Sequence, residues 1–567
     1  RLKRISYPDT TSVAFEYDAN GNRTRMTDSV GVSQYAYDDL DRLTNYTDAY
    51  GKPIGYEYDA NGNRIALIYP DGKRVDYVFD ARDHLTTATD WGGRVTQYSY
   101  DQASLLAGII NSNGTTAALS YDLAGRLTSM SNKRSDNSVI SAYNFTLDPV
   151  GNRTNVNSTD PLTAGNTRPA ENYSYNAANQ IQTACAKAFT SDNNGDLKTQ
   201  TSGSSTINFG YDLEDRLVTA SDGSSSVEYT YNGDGRRLDK KRQGAVTRFV
   251  IDPTSRLPRV LAETDRFGNI RNYYTYGLGL IAKIRPNGQA YQYHFDQRGS
   301  TAAISDTSQT IVNRYAYDAF GSVTATSEQI PNSFQYMGQF GVTVEPFDLL
   351  FASRRFYSPT LGRFLTKDPV DGVSDNPQRF NEYVYSLNNP ITLFDPSGLS
   401  GQQDGEAMFQ EMGTSDASNR FLLETNNGTV FGSIVRFLDK FKIPDIGNII
   451  SLYAGKGSIA PASEAIGGAA KVAKSAEIAE DLKNPAYVVQ VADERYSSGR
   501  QVDKLDQLAS GSFGGGKTWA DLSQAEKESL ADPKTAPAGI TIQMKLGGIA
   551  PSGFIFGNFI TRFFGGD

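Results

Sequence analysis

The spacing that most directly suggests chemistry lies near the carboxyl end, where Gly511 to Thr518 reads GSFGGGKT. This matches the phosphate-loop pattern, in which backbone N–H groups surround a phosphate and a lysine, here Lys517, reaches it. The surrounding sequence does not support such a site, because the preceding QVDKLDQLAS is polar and helical in pattern where a buried strand is required. No apolar strand ending in Asp follows to hold magnesium. We therefore interpret the motif as a glycine-rich linker.

Histidine and cysteine are too scarce for several common kinds of active site. The 567 residues include two histidines, His84 and His294, and one cysteine, Cys185. Ser-His-Asp and Cys-His catalysis need imidazole near the reacting atoms, and a disulfide framework or a four-cysteine zinc site needs more thiols. Residues 400–567 contain neither residue type, so none of these sites can be built there alone. We expect no metal site and no cofactor.

Charge and hydropathy exclude further classes. The formal net charge is −9, which gives no global attraction for nucleic acid phosphates, so we expect the amino-terminal region not to bind nucleic acid. The apolar stretches are short and interrupted by glycine, unlike a membrane-spanning helix. The first residues, RLKRISYPDT, lack the apolar core of a signal peptide and look like the second half of a repeat. We therefore interpret the amino terminus as the edge of a fragment.

An aromatic-x-aromatic-Asp unit returns along the first two thirds of the sequence. Clear copies are FEYDANGNRT at 15–24, YEYDANGNRI at 56–65 and LSYDLAGRLT at 119–128. Degenerate copies continue to at least residue 325. The acidic residue recurs every 20 or 21 positions, at Asp18, Asp38, Asp59, Asp80, Asp101 and Asp122.

Each unit has the pattern of a β-hairpin. Tyr56 and Tyr58 are two residues apart, so they share one face of a strand and can pack on the equivalent rings of neighbouring hairpins. Asp59 faces the other way, near the turn. The Asn-Gly of DANGNR tolerates the positive φ that tight primed turns need. We predict two strands of about six residues and two turns in each unit.

Three architectures could hold such hairpins. A propeller would need about nine blades, above the usual range. A sugar-binding hairpin solenoid would favour exposed Trp, but the sequence has two Trp against 33 Tyr. A continuous coiled sheet, in which each hairpin pairs with the next, requires no blade count and tolerates the irregular spacing between Asp122 and Asp192. We favour the continuous sheet.

These units resemble the YD repeats of the RHS/YD-repeat family, which includes bacterial polymorphic toxins and the YD shell of teneurins. The resemblance covers residues 1 to about 345. It implies a mainly β fold in which a spiralling sheet forms a hollow shell. In toxin members the shell holds the carboxyl-terminal segment as cargo. The resemblance also implies a secreted or cell-surface location, with secretion-system or toxin-complex components and an immunity protein as partners.

The stretch from 351 to 399 resembles the RHS-associated core domain through RFYSPTLGRFLTKDP, YVYSLNNP and DPSGL. In that family the segment is similar to a self-cleaving aspartyl protease that cuts after the final Leu of the motif. The enzyme implied is a single-turnover self-protease. Carried onto this sequence, the resemblance implies Asp368 and Asp395 as paired catalytic carboxylates, Arg355 as their supporting residue, and Leu399–Ser400 as the scissile bond.

Paired carboxylates suit peptide hydrolysis, because one must be ionised to take a proton from water while the other gives a proton to the carbonyl oxygen or leaving amine. A bond on the enzyme's own chain is attacked at a very large effective concentration. DPSG is also a good turn sequence, so a purely structural role stays open. Arg355 could equally form a structural salt bridge, and Asp371 and Asp375 are interpreted as solvated turn residues.

The tail after Leu399 loses the tyrosine pattern. Its periodicity predicts helices at 433–444, 462–484 and 518–533, and a strand in AGITIQMKL, which indicates a small α+β or mainly α domain. Acidic residues outnumber basic ones, which does not favour a nuclease. The apolar GFIFGNFITRFFGG at 553–566 leaves membrane contact open beside ordinary core packing, and ADP-ribosyl transfer also stays open.

We divide the sequence into a repeat shell, a core domain with the cleavage site, and a variable effector domain, at 1–345, 346–399 and 400–567. The function that this division favours is release of an encapsulated effector by self-cleavage, in competition between cells or intoxication of a host. The alternative is a non-enzymatic cell-surface or adhesion protein with a structural tail.

Overall fold

A computed structural model gives the structure of residues 1–162, 172–184, 186–255, 257, 259–369 and 380–399, together with the backbone of short strands beyond residue 400. The chain divides into a unit spanning Leu2–Asn419 and a second unit of Arg420–Asp567, which also takes in Arg1. The first unit is mainly β, as the repeat pattern predicts.

The first fifteen strands form one antiparallel sheet in which each strand pairs with the next along the chain. Strands of about six and five residues alternate, as expected for repeated hairpins. They are β1 (Arg4–Ser6), β2 (Ser12–Tyr17), β3 (Arg23–Thr27), β4 (Val32–Tyr37), β5 (Leu43–Thr47), β6 (Pro53–Tyr58), β7 (Arg64–Ile68), β8 (Arg74–Phe79), β9 (Leu85–Thr89), β10 (Val95–Tyr100), β11 (Leu106–Ile110), β12 (Thr116–Tyr121), β13 (Leu127–Lys133), β14 (Val139–Leu147) and β15 (Arg153–Thr159).

A second antiparallel sheet of sixteen strands follows, again in chain order. The repeats that the structure describes are thus joined in two long sheets, not divided into four-stranded blades, which confirms the preference for continuous sheets over a propeller. The strands are β16 (Tyr173–Tyr175), β17 (Ile181–Ala184), β18 (Lys187–Ser191), β19 (Leu197–Ser202), β20 (Ser205–Tyr211), β21 (Leu217–Ser221), β22 (Ser226–Tyr231), β23 (Arg237–Arg242), β24 (Ala245–Asp252), β25 (Arg259–Thr264), β26 (Ile270–Tyr276), β27 (Leu280–Ile284), β28 (Ala290–Phe295), β29 (Thr301–Ser305), β30 (Ile311–Tyr317) and β31 (Val323–Glu328).

The repeated aspartate closes the turn of each hairpin with its own side chain. Asp59 accepts the backbone N–H of Asn63 on its carboxylate at 2.8 Å, and its carbonyl accepts the N–H of Gly62 at 3.2 Å. The prediction of a primed turn is wrong, because φ is positive only at Gly62, the fourth residue, and not at the central positions. This is a turn followed by a bulge, and Asp41 and Asp83 take the same left-handed conformation in other copies.

The second tyrosine of the unit ties each hairpin to the one before it. The Tyr58 hydroxyl donates a 2.8 Å hydrogen bond to the Leu43 carbonyl, fifteen residues earlier. Tyr100 and Tyr121 make the equivalent bonds. A phenolic hydroxyl on a partly buried ring therefore has a fixed backbone partner.

Side chains of the two long sheets share one core. The Arg64 guanidinium lies 3.0 Å from a carboxylate oxygen of Asp252, whose side chain is fully buried, and the Tyr56 hydroxyl donates to the same carboxylate at 2.8 Å. Burial alone would raise the pKa of Asp252, but the charges of Arg64 and Arg259 and the hydrogen bonds from Thr254 together lower it below its usual value. The Tyr69 hydroxyl likewise donates to the carbonyl of Tyr274 at 2.6 Å. These contacts join residues 188 to 205 positions apart.

A smaller four-stranded antiparallel sheet follows the repeats. Its first strand, Thr343–Glu345, falls within the range 1–345 that the sequence assigns to the repeat shell. The domain bounds stay predictions. The elements are a 3-10 turn (Gly338–Phe340), β32 (Thr343–Glu345), β33 (Leu349–Ala352), β34 (Arg355–Ser358), β35 (Arg363–Phe364), a second 3-10 turn (Ser386–Asn388), and the pair β36 (Leu393–Phe394) and β37 (Gln402–Gln403).

In the carboxyl-terminal unit the structure describes one antiparallel sheet, made of β38 (Tyr487–Val491), β39 (Ile540–Met544) and β40 (Ser552–Ile555). The middle strand falls within AGITIQMKL, where the sequence predicts a strand. The helices predicted at 433–444, 462–484 and 518–533, and the glycine-rich motif at 511–518, lie outside the described residues.

Candidate active site around Arg355

The site is organised by a buried arginine at the start of β34. The hairpin between β33 and β34 turns at Ser353, which has a φ of 56°. This turn sends the two neighbouring arginines in different directions. Arg354 is exposed and donates to the carbonyl of Asp234 at 2.9 Å, whereas Arg355 is 4% exposed and lies among residues of the core segment.

The guanidinium of Arg355 brings the sequence-predicted residues together. Its Nε donates to the carbonyl of Gly398, and one terminal nitrogen donates to the carbonyl of Glu382 at 3.0 Å. The other terminal nitrogen donates to Oδ2 of Asp368 at 2.8 Å and lies 3.7 Å from Oδ2 of Asp395. One cation thus stands between the two predicted carboxylates and contacts the backbone just before the predicted scissile bond.

Burial and an aromatic ring hold this cation in place. The central carbon of the guanidinium lies 3.7 Å from the centroid of the Phe364 ring. Burial lowers the pKa of Arg355 below its usual value, while the charges of Asp368 and Asp395 act in the opposite direction. Arginine suits this position, since its ordinary pKa is so high that it stays charged and its planar fork serves several acceptors at once.

Asp395 reaches back over its own loop toward the predicted cleavage point. Its side chain is nearly fully buried, and its Oδ1 accepts the hydroxyl of Ser397 at 2.7 Å and the backbone N–H of Leu399 at 3.2 Å. The Leu399 N–H also lies 3.2 Å from the Ser397 Oγ. The carboxylate is therefore hydrogen-bonded to the residue whose carbonyl would be attacked. Ser400 lies outside the described residues.

Gly398 gives the loop its shape. Its φ is +68°, and a Cβ at this position would lie 2.5 Å from the carbonyl oxygen of Ala352 and 3.1 Å from the backbone nitrogen of Arg355. Only a glycine allows this conformation and this approach at low cost. The close approach lets the Gly398 carbonyl accept the Arg355 Nε–H.

Asp368 comes from the segment that follows β35 and is more open to solvent. Its side chain is 20% exposed, against 2% for that of Asp395. Its backbone N–H donates to the carbonyl of Glu382 at 2.9 Å, so one carbonyl serves both Asp368 and Arg355. Asp371 and Asp375 lie outside the described residues.

Several residues of the site escaped the sequence reasoning. The Ser397 hydroxyl and the Glu382 carbonyl both contact catalytic candidates, but a serine in a turn and a backbone carbonyl carry no distinctive signal. The Phe364 ring beneath Arg355 is one of many aromatics. Gly398 offered a signal, since glycine in DPSGL marks a positive φ.

Neither a metal nor a membrane span is indicated by what the structure describes. Within the described residues, no three His, Cys, Asp or Glu side chains come together in a way that could hold a metal ion. No helix in the same part of the chain combines the length and apolar character that crossing a membrane requires. The side chains around Arg355 supply two carboxylates and a serine hydroxyl beside its guanidinium.

Comparison with protein families accounts for nearly the whole Leu2–Asn419 unit. A model described as Teneurin YD-shell matches residues 104–391, which is half of the chain. A model described as RHS Repeat matches residues 1–33, 37–74 and 79–116. The chain belongs to the RHS/YD-repeat family. The membership expected from the Tyr and Asp pattern is thereby confirmed.

Among curated proteins, similar RHS/YD-repeat relatives carry toxin or nuclease names. The tRNA nuclease WapA of Bacillus subtilis (strain 168) is 31% identical over 262 residues, covering 45% of this chain and 11% of the relative. Double-stranded DNA deaminase toxin A of Burkholderia cenocepacia (strain H111) is 24% identical over 260 residues, covering 36% and 16%. The chain thus spans a small part of these relatives.

Among solved structures, the crystal structure of TcdB2-TccC3 matches with a TM-score of 0.53 and 17% identity, covering 70% of this chain and 26% of that chain. At this identity the likeness shows the fold alone. It agrees with the long antiparallel sheets of the YD repeats.

Proposed function

We propose that this chain is the RHS/YD-repeat part of a polymorphic toxin that cuts its own backbone after Leu399. The cut would free residues 400–567 as an effector from a shell that enclosed them. One observation carries the proposal: the Arg355 guanidinium contacts Asp368, lies beside Asp395 and holds the Gly398 carbonyl, immediately before the Leu399–Ser400 bond.

The proposed reaction is hydrolysis by a water molecule. One carboxylate takes a proton from the water molecule while the water oxygen bonds to the Leu399 carbonyl carbon. The other gives a proton to the amine of Ser400 as the C–N bond breaks, which leaves a carboxylate on Leu399. The closer contact with Arg355 favours the ionised form of Asp368, so we assign the base to Asp368 and the acid to Asp395.

Arg355 would act in two ways in this reaction. It fixes the loop by donating its Nε–H to the Gly398 carbonyl. Its positive charge also offsets the repulsion between the carboxylates of Asp368 and Asp395. The Leu399 N–H bonded to Asp395 would hold the reacting carbonyl close to that carboxylate. Because enzyme and substrate are one chain, the geometry is set by folding and a single turnover is enough.

The names of relatives support the toxin assignment. WapA is a tRNA nuclease, and the match from Burkholderia cenocepacia is a DNA deaminase toxin. A shorter match is toxin protein Tse5 of Pseudomonas aeruginosa, 28% identical over 107 residues. We extend the proposal to export, with toxin-complex or secretion components and an immunity protein as partners.

The test is to follow the purified full chain on a denaturing gel with amino-terminal sequencing of the products. The proposal expects two fragments, 1–399 and 400–567, the second beginning with Ser400. Asp368→Asn and Asp395→Asn should each leave the chain intact, while the exposed control Asp39→Asn should cut as the wild type does. A wild-type chain that stays intact after prolonged incubation would contradict self-cleavage and favour the surface or adhesion alternative.

A further inference from the structure

In one copy of the repeat an acid replaces a side chain that donates a hydrogen bond in most other copies. Four residues after the turn aspartate, most turns carry a hydrogen-bond donor. The Asn63 amide donates to Asp59 at 3.0 Å and to Asp83, in the turn of the next copy, at 2.7 Å. Asn22 makes the same two kinds of contact. The amide therefore donates to two carboxylates and links neighbouring turns.

In the turn that begins at Asp192, this position is occupied by Asp196, which is an acid. The turn itself is normal, since Asp192 Oδ1 accepts three backbone N–H groups at 2.9 Å, from Asn194, Gly195 and Asp196. Asp196 is 1% exposed, and its Oδ2 has no hydrogen-bond donor. A carboxylate thus lies buried where the repeat normally holds an amide or a guanidinium.

Asp196 faces another carboxylate across the gap between turns. The turn of the next copy places Asp215 beside it, as the equivalent turn places Asp83 beside Asn63, and Asp215 accepts the Asn194 amide at 2.9 Å. Burial first, and then the charges of Asp215 and Asp192, raise the pKa of Asp196 to about 8, against a smaller opposing effect of Lys367. A buried carboxylate oxygen that no donor reaches, on a side chain that faces a second carboxylate, favours a proton held between the two groups.

The same turn is a docking point for the core segment. The Tyr383 hydroxyl donates to the Gly195 carbonyl at 2.9 Å, and the Leu197 N–H donates to the Leu365 carbonyl at 2.9 Å. A Cβ at Gly195 would lie 2.5 Å from that hydroxyl and 2.7 Å from Cε of Lys367. Repeat and core segment therefore meet on the residue that precedes Asp196.

We propose that Asp196 and Asp215 share one proton, and that this proton holds Leu365–Lys367 and Tyr383 on the turn. When the proton leaves, the negative charges of Asp192, Asp196 and Asp215 repel one another. This repulsion moves the turn away from the core segment. The titratable and charged groups that face Asp196 are Asp192 on its own turn, Asp215 and Tyr211 from the adjoining hairpin, and Lys367 and Tyr383 from the core segment. The device is independent of whether the chain cuts itself.

The sign of the pH effect follows from the raised pKa. The folded chain keeps a proton on Asp196 at pH values where an unfolded aspartate has lost it. The stabilisation is therefore complete below the ordinary aspartate pKa of 3.8, declines as the pH rises, and is gone above about pH 8. Opening of the turn should expose the residues around Tyr383, because the Tyr383–Gly195 bond depends on the position of the turn.

The experiment measures hydrogen exchange by mass spectrometry in the full chain between pH 6 and 9.5, corrected for the intrinsic pH dependence of exchange. We expect peptides covering 192–197 and 380–385 to lose at least tenfold protection through about pH 8 in the wild type. Asp196→Asn supplies the amide found at Asn63, so it should keep its protection across the range and melt at a higher temperature at pH 9. The exposed control Asp39→Asn should behave as the wild type.

Two results would overturn the proposal. One is the same protection profile in Asp196→Asn and wild type at every pH. The other is a rise in wild-type protection with 1 mM CaCl2 at pH 9, reversed by EDTA and absent from Asp196→Asn, which would mean that the carboxylates bind a cation instead of sharing a proton. As a further check, Asn63→Asp places an acid at the same position of another copy, and it should add a pH-dependent loss at 59–63 without changing 380–385.

Discussion

The hydroxyl of Tyr58 and the carbonyl of Leu43, fifteen residues apart, are joined by a 2.8 Å hydrogen bond that recurs along the repeats. The bond ties the last residue of one strand to the first residue of the return strand of the hairpin before. The Asp of the repeat closes its own turn, so the two most regular residues of the unit have different tasks. One shapes the hairpin, and the other joins it to its predecessor.

Tyr58→Phe should lower the free energy of unfolding by about 1 kcal/mol, because the Leu43 carbonyl loses its donor. Phe79 occupies the same position of the next copy and has no hydroxyl. Phe79→Tyr should therefore leave the stability equal or slightly higher. Denaturant titration with both variants measures the two effects, and a Tyr58→Phe protein as stable as the wild type would refute the role of the bond.

Gly398→Ala should destabilise the core segment and stop self-cleavage. A Cβ at 2.5 Å from the Ala352 carbonyl would force the loop away from Arg355. Gly223 is the matched control, since its φ of +87° is equally strained for alanine but nothing lies within 4 Å of the added atom. Both variants should pay the conformational cost of about 1 kcal/mol. Fragment yield is the readout, and equal yields from the two variants would contradict the expected steric effect.

Arg355→Lys should slow self-cleavage at least roughly tenfold, which corresponds to about 1.4 kcal/mol. Lysine keeps the charge but lacks the planar fork that serves Gly398, Glu382 and Asp368 together. Arg354→Lys, on the exposed side of the same turn, should cut at the wild-type rate. Single-turnover time courses with matched thermal melts separate slow chemistry from unfolding. Equal cleavage rates for the two lysine variants would show that Arg355 has no special role in the reaction.

His294 should make the chain sensitive to acid. Burial, helped by the charge of Arg134, lowers its pKa from 6.5 to about 3. Because an unfolded histidine gains a proton at a higher pH than the buried one, stability falls as the pH drops from about 6.5 toward 3, by up to about 4 kcal/mol. His294→Gln can keep a contact with Ser305 without titrating.

The measurement for His294 is urea unfolding at pH 7, 5 and 4. The loss of stability with falling pH should be smaller in His294→Gln than in the wild type, whereas His84→Gln, on a hairpin turn beside Asp80, should follow the wild type. Parallel pH profiles for wild type and His294→Gln would show that the buried imidazole contributes nothing to acid sensitivity.

Much of the repeat fold could be predicted from the sequence, since a strand period of two and a recurring Asp are local signals. Tyr56 and Tyr58 were correctly placed on one face of a strand. The turn was predicted wrongly because Asn-Gly suits both a primed turn and a turn with a bulge, and only the backbone distinguishes them. The pairing of Arg64 with Asp252 has no local signal, because it depends on how two sheets meet.

The candidate site shows the same division. Asp368, Asp395 and Arg355 came from a family resemblance. The structure places the two carboxylates beside the Arg355 guanidinium, and the reaction itself stays a proposal. The contacts of Ser397 and of the Glu382 carbonyl depend on tertiary packing, so the sequence could not supply them. Asp196 could have been noticed, since an acid replaces Asn or Arg at a fixed position of the repeat.

The two kinds of contact in the repeats also differ in when they can form. A bond such as Tyr58 to Leu43 needs fifteen residues of chain, so it can close soon after a ribosome has made them. The pairs Arg64–Asp252 and Tyr69–Tyr274 can form only after a further 188 and 205 residues have been made. During synthesis the first sheet therefore has to persist on hairpin-to-hairpin bonds alone, with its apolar face still uncovered. The repeated tyrosine hydrogen bonds would stabilise the first sheet until the second sheet is made and packs against it.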